Sequence, residues 1–187
     1  MKINKKRLII FMPSMIGGGV EKNLILITNY LSRYIKNISL ITYGKKFNKK
    51  FDKKIKIINP KNPLNENVSK YLQYFECLKI LTKEISKNNK NLVFAFQANI
   101  YCLILSKIYN FKTIIRSNSS PSGWSKSFIK NYIFKFFFKF ADSIIVNSYE
   151  FKNELKKKFN INSIVIYNPL NLKEILKKAK KKINENF

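Results

Sequence analysis

The segment Pro13-Ser14-Met15-Ile16-Gly17-Gly18-Gly19-Val20-Glu21-Lys22 directly follows the apolar run Leu8–Met12. A short apolar run that passes through three glycines into a helical pattern reads as strand, loop, helix. Gly17, Gly18 and Gly19 leave backbone N–H groups uncovered beside a helix N-terminus, where the partial positive charge favours an anion. The same three residues also suit a tight turn with no ligand. The loop departs from a dinucleotide fingerprint: the third glycine position is Lys22, and the second strand runs into Tyr43-Gly44-Lys45 instead of the acid that holds a ribose. A GxxxxGK[ST] phosphate loop is absent as well.

The second chemically unusual segment is Arg116-Ser117-Asn118-Ser119-Ser120-Pro121-Ser122-Gly123-Trp124. An arginine closing a strand, followed by hydroxyls and an amide, has the fork geometry to hold a phosphate or sugar hydroxyls. Arginine otherwise occurs only at Arg7 and Arg33. The plainer account is a polar loop with Arg116 paired to a surface acid. Glu76 and Glu84 have the spacing of a carboxylate pair used by many sugar transferases, but both fall in one helical pattern, about 12 Å apart along its axis. With Lys79 and Lys83 between them they read as a solvated helix face. Cys77 and Cys102 form no CxxC pair and sit in apolar helical patterns, as reduced core thiols do. With no His in the chain, little remains to bind zinc or iron, and no metal and no cofactor are expected.

Residues 127–140 carry two apolar stripes. Ile129, Tyr132, Ile133, Phe136 and Phe140 make a broad one suited to a sheet; Phe134 and Phe138 lie round the other side, flanked by Lys126, Lys130, Lys135 and Lys139. A helix aromatic on two sides and basic between can lie in a membrane interface, with its lysines reaching the headgroups. Alternatively, a neighbouring element covers Phe134 and Phe138.

Short β-rich runs position these groups. Leu8–Met12, Ile38–Tyr43, Ile55–Asn59, Leu92–Phe96, Lys112–Arg116, Ser143–Asn147 and Ser163–Tyr167 read as strands. Between them, 21–34, 68–88, 99–109, 127–140 and 150–159 read as helices, and 172–183 as a last one. Apolar strands alternating with helices predict an α/β fold, a Rossmann-like parallel sheet of about seven strands with helices on both faces. In such sheets ligands bind outside the carboxyl ends of the strands. That rule selects Gly17–Gly19, Gln97 to Asn99, Arg116 to Ser120, Asn147 and Ser148, and Asn168 with Pro169.

The 187 residues suit one domain, and 45% hydrophobic content suffices for a core. The net charge of +27 comes almost wholly from lysine, and the scarcity of arginine forks argues against specific nucleic-acid readout. So basic a surface is drawn to anionic headgroups and diphosphates. Lys2 to Met12 imitates a signal peptide, but its apolar core is too short and no small-residue cleavage pattern follows. With no apolar run of spanning length, a cytoplasmic location is expected.

Taken in order, five segments resemble the N-terminal domain of family-four glycosyltransferases, which have the GT-B architecture. They are Gly17–Lys22; Phe94-Ala95-Phe96-Gln97-Ala98-Asn99; Ile114-Ile115-Arg116-Ser117-Asn118-Ser119-Ser120-Pro121; Ala141-Asp142-Ser143-Ile144-Ile145-Val146-Asn147-Ser148; and Val165-Ile166-Tyr167-Asn168-Pro169-Leu170-Asn171. The resemblance implies an enzyme moving a sugar from a nucleotide-sugar donor, with retention and without a metal, to a lipid-linked or oligosaccharide acceptor in cell-surface glycan synthesis, such as lipopolysaccharide or capsule. It implies a peripheral location at the inner face of the plasma membrane. Gly17, Gly18 and Gly19 would meet the donor diphosphate; Gln97, Asn99, Arg116, Asn118 and Ser119 would bind the acceptor; Asn147, Ser148 and Asn168 would form the cleft rim. Residues 1–171 would be the Rossmann-like domain and 172–187 a basic helical linker or tail. The family's second domain, with its nucleotide pocket and carboxylate pair, would begin where this chain stops. The chain alone is then expected to be inactive, as a gene fragment, a single domain or one subunit of a split enzyme.

Two other classes compete. A non-catalytic basic α/β module binding anionic lipid or nucleic acid explains the charge but leaves the polar strand ends unexplained. A nucleotide-sugar oxidoreductase or epimerase fails on the missing ribose acid and on Tyr149, which has Asn153 and not Lys four places on.

Overall fold

A computed structural model of the chain describes residues 7–61, 68–86, 91–119 and 127–179. The short apolar runs form strands β1 (Leu8–Phe11), β2 (Ile38–Ile41), β3 (Lys56–Ile58), β4 (Leu92–Ala95), β5 (Lys112–Ser117), β6 (Ser143–Val146) and β7 (Ile164–Val165). Helices α1 (Gly19–Leu31), α2 (Lys70–Ser86), α3 (Asn99–Tyr109), α4 (Phe128–Phe138) and α5 (Tyr149–Phe159) connect them, and α6 (Leu172–Ala179) follows β7. All strand pairs are parallel, in the order β3-β2-β1-β4-β5-β6-β7. The expected Rossmann-like sheet is therefore present.

Side-chain alternation along the strands splits the core into two layers, because successive residues point to opposite faces. Ile9, Phe11, Val93, Ala95, Ile115, Ile144 and Val146 face α2, α3, α4 and α5, which contribute Cys77, Leu81, Leu103, Phe138, Leu155 and others. Leu8, Ile10, Leu40, Phe94 and Ile145 face the other way, toward Leu24 of α1 and the segment bearing Phe51 and Ile55. Chain order reverses between β1 and β4, so the crevice at the carboxyl ends of those strands is where such a sheet takes a ligand.

Three sequence expectations change. Glu84 is not on a solvated face: it is buried, and Arg7 Nη1 donates to its Oε2 at 2.6 Å while Arg7 Nε donates to Ser39 Oγ at 2.9 Å. Glu76 does stay on the outer face, paired with Lys79 at 2.9 Å. Tyr71, Leu72, Phe75, Leu78 and Leu81 recur at helical spacing and predict an apolar stripe on α2, but Gln73, Cys77, Leu81 and Ile85 face the sheet, while Tyr71 and Phe75 are exposed.

The third correction concerns α4. Phe138 is 2% exposed and Phe134 packs against the same core, with their rings 5.8 Å apart and edge to face. Neither lies on an outward surface. The stripe assigned to the sheet is the one outside: Ile129, Tyr132, Ile133 and Phe136 are exposed. Periodicity finds both stripes but does not say which one α3 will cover. Lys130 is exposed and Lys135 half-buried; Lys126 lies outside the described residues. Cys77 and Cys102 are buried free thiols, as expected, and burial pushes the Cys77 thiol up to about 12.

Candidate functional site

The carboxyl ends of β4 and β5 are joined by side chains acting as cross-braces. After β4 the chain turns through Ala98, whose φ of 54° lies in the left-handed region that a Cβ disfavours. That turn starts α3 and points its two neighbours apart. Gln97 Oε1 accepts the Ser14 N–H at 3.1 Å, bracing the loop after β1. Asn99 Nδ2 donates to the Arg116 carbonyl at 3.1 Å, bracing β5. From β5, Asn118 Nδ2 reaches back to the Phe96 carbonyl at 3.1 Å, and Ser117 Oγ donates to the Ser119 carbonyl at 2.9 Å.

Together these residues line a cavity of about 470 Å³. Gln97, Asn99, Arg116, Asn118 and Ser119, all selected from sequence, form its polar floor. Its aromatic lining comes from Phe134 and Phe138 of α4, Tyr74 of α2 and Tyr101 of α3. Lys70 also lines it, its ammonium 5.5 Å from the centre of the Tyr74 ring. Sequence reasoning missed Lys70, Tyr74 and Tyr101. Only their place on one turn of two helices that face each other could have found them, and no single-helix pattern contains that information.

Arg116 is 1% exposed, so the account that pairs it with a surface acid does not hold. No surface acid pairs with it among the described residues. Its Nη2 crosses the sheet edge to donate to the Ile166 carbonyl at 3.2 Å and to Asn168 Oδ1 at 2.9 Å, tying the exit of β7 to the cavity floor. Its Nε is buried with no partner among the described residues, as is Asn99 Oδ1. Burial lowers the guanidinium's pKa, because a cation held by neutral acceptors has lost water without gaining an opposite charge.

The glycine loop lies beside this cavity, which Val20 of α1 helps to line. Gly17, Gly18 and Gly19 are all exposed, and Gly17 has φ of 103°, a conformation that only glycine takes without strain. The loop contains a feature the sequence reading passed over. Glu21, in the first turn of α1, is buried and folds back so that its Oε1 accepts the Ile16 N–H at 3.1 Å. A Cβ at Gly18 would stand 3.1 Å from its Oε2. The helix start therefore already holds one carboxylate, which braces the loop and offsets part of the positive end of the dipole.

The remaining rim residues sit at the next strand ends. Ser148 caps α5, its Oγ accepting the Phe151 N–H at 3.3 Å, and its hydrogen bond holds the Glu150 carboxyl below the usual range. Asn147 Oδ1 is buried without a partner among the described residues. Among the described residues, Asn168 meets the site through Arg116. Ser120 and the loop through Trp124 lie outside the described residues.

No protein-family model matches the sequence, and no curated protein matches it. Solved structures do. Anabaena HepE, in complex with UDP and glucose, superposes with a TM-score of 0.61 at 15% identity, over 89% of this chain and 45% of that one. Phytolacca americana UGT2, complexed with UDP-2fluoro-glucose and pterostilbene, gives 0.57 at 10% identity, over 88% and 53%. Glycyrrhiza uralensis UGT73P12, complexed with glycyrrhetinic acid 3-O-monoglucuronide, gives 0.58 at 10% identity, over 86% and 48%. These neighbours are GT-B glycosyltransferases, and the chain has the Rossmann-like α/β fold of one half of that architecture. It spans about half the length of the structures it matches.

Proposed function

We propose that the chain is the acceptor-side half of a glycosyltransferase that moves a sugar from a nucleotide-sugar donor to a lipid-linked or polysaccharide-precursor acceptor in cell-surface glycan synthesis. One observation carries this reading: the polar groups of Gln97, Asn99, Arg116, Asn118 and Ser119 collect in one aromatic-walled cavity at the strand ends, next to the switch point. Aromatic walls and amide donors suit a sugar ring, with one apolar face and a hydroxyl-bearing edge. Anabaena HepE and Phytolacca americana UGT2 were solved with UDP or a UDP-sugar bound, which supports a nucleotide-sugar donor.

In this reading the cavity orients an acceptor hydroxyl, and the exposed Gly17–Gly19 amides meet the donor diphosphate across a cleft. Residues 1–171 form the acceptor domain, and 172–187 lead toward a donor-binding half that supplies the nucleotide pocket and the groups for retaining transfer. Alignment of donor with acceptor needs both walls, so the chain alone turns nothing over. Residues outside the cavity support a peripheral place at the inner membrane face: exposed Ile129, Tyr132, Ile133 and Phe136 on α4 stand among Lys130 and Lys139. No helix among the described residues is long and apolar enough to cross a membrane.

The test is equilibrium binding of octyl β-glucoside and octyl phosphate, below their micelle concentrations, to the full chain and to Asn118→Ala. Saturable binding weakened at least tenfold in the variant is expected. Failure to bind either compound, with steeply salt-dependent binding to DNA instead, would replace this reading with that of a basic binding module.

A further inference from the structure

Beside the cavity, α2 and α3 leave a groove of about 240 Å³. Phe75, Leu78 and Thr82 line it from one helix, Tyr101, Ile104 and Leu105 from the other. Thr82 spends its hydroxyl on the Leu78 carbonyl at 3.0 Å, so the groove offers a ligand almost nothing to hydrogen-bond. Tyr101 lines both the groove and the cavity, and its ring meets Tyr74 edge-on at 6.3 Å. A polar compartment with buried Arg116 Nε and Asn99 Oδ1, unpartnered among the described residues, thus shares the Tyr101 wall with an apolar one.

Each compartment has a lysine in its lining, Lys70 in the cavity and Lys79 in the groove. The Lys79 ammonium lies 4.3 Å from the centre of the exposed Phe75 ring and Lys70 stands over Tyr74, while Glu76, the acid nearest in sequence, is already held by Lys79. Water-filled, this groove would keep Phe75 and Tyr101 wet, at 55% and 45% exposure, beside side chains that form the core. A ligand with an anionic or sugar head and an apolar tail satisfies both compartments at once.

We infer that the groove between α2 and α3 holds the hydrocarbon chain of the acceptor whose head occupies the cavity. The acceptor is then an amphiphile with a single alkyl or isoprenoid chain, bound as a monomer and not as part of a bilayer surface. The inference rests on the acceptor reading above and adds to it the place and chemistry of the tail.

Calorimetric titration of the full chain with methyl, hexyl, octyl and decyl phosphate, all below micelle concentrations, tests it. Affinity rises by about fourfold per added methylene while the groove fills. Phe75→Asp and Leu105→Asp flatten that dependence and leave methyl phosphate binding in place, whereas Asn118→Ala weakens every member alike. Phe75 is surface-exposed, so its variant keeps the test open if Leu105→Asp does not fold; circular dichroism checks both. Affinity independent of chain length, or a length dependence untouched in both folded variants, overturns the groove and leaves the cavity reading standing. Binding confined to anionic vesicles, with none to monomeric alkyl phosphates, also overturns it. If no head group binds and Asn118→Ala changes nothing, the cavity reading falls, and the groove with it.

Discussion

At the amino ends of the strands Arg7 meets a carboxylate, Glu84 Oε2 at 2.6 Å, and donates from Nε to Ser39 Oγ, while its Nη2 is buried with no partner among the described residues. At the carboxyl ends Arg116, more deeply buried, meets only the Ile166 carbonyl and the Asn168 amide oxygen, and its Nε has no partner among the described residues. Both guanidiniums join distant parts of the chain. The first is neutralised where it stands; the second carries an uncompensated charge into a cavity. A fold built only for stability has no reason to bury the second cation this way, because desolvation without an opposite charge costs more than it returns. The contrast separates the end of the sheet where a buried cation is matched by a carboxylate from the end where we place the acceptor.

Substitutions at the two arginines sharpen the contrast most. Arg7→Ala removes the ion pair of the buried Glu84 carboxylate and should cost about 3 kcal/mol of stability, read by urea denaturation. Arg116→Met removes a cation that had no carboxylate to lose, so its cost should be about 1 kcal/mol, that of two weakened neutral acceptors. Its effect belongs to binding: affinity for octyl phosphate should fall at least tenfold. Equal stability losses at the two sites, with octyl phosphate affinity unchanged, would break the comparison.

A smaller effect is expected at Ala98. Its left-handed backbone aims Gln97 and Asn99 in different directions, and Ala98→Gly should relieve that strain and raise stability by about 0.5–1 kcal/mol. Asn110 and Asn160 have the same left-handed geometry just past α3 and α5, where asparagine tolerates it, so glycine there should gain less.

The smallest effect concerns the thiols. Burial raises the Cys77 thiol from 9.0 to about 12 in the folded chain. The native state therefore keeps its proton where the unfolded chain releases one. That stabilising contribution is whole below about pH 9 and is lost progressively as pH rises toward 12. Iodoacetamide at pH 8 should leave both cysteines of the folded chain unlabelled and modify them only in denaturant; fast native labelling would show that α2 and α3 do not seal the core.

The sheet was legible in the sequence because each strand is a short apolar run with a polar residue just past its carboxyl end, and that pattern depends on neighbours along the chain. The cavity floor followed for the same reason: Gln97, Asn99, Arg116, Asn118 and Ser119 all sit at strand ends. What the sequence concealed depends on contacts between elements. Helix α4 offers two apolar stripes, and only packing against α3 decides that Phe134 and Phe138 go inside. Glu84 looked solvated because its partner Arg7 lies far away in sequence. Tyr74 and Tyr101 meet only because α2 and α3 lie side by side. The role of Glu21 was hidden by the glycines before it, which drew attention to their own backbone amides and away from the acid that accepts the Ile16 N–H.

The side-chain amides of Gln97, Asn99 and Asn118 provide the most direct test of whether the strand-end cavity receives the acceptor head. In a nitrogen-15 correlation spectrum of the full chain titrated with octyl β-glucoside, the NH2 resonances of those three residues should shift together and saturate with a single dissociation constant. Shifts confined to backbone amides of the lysine-rich helices α5 and α6, with the three side-chain amides unmoved at saturation, would contradict the account.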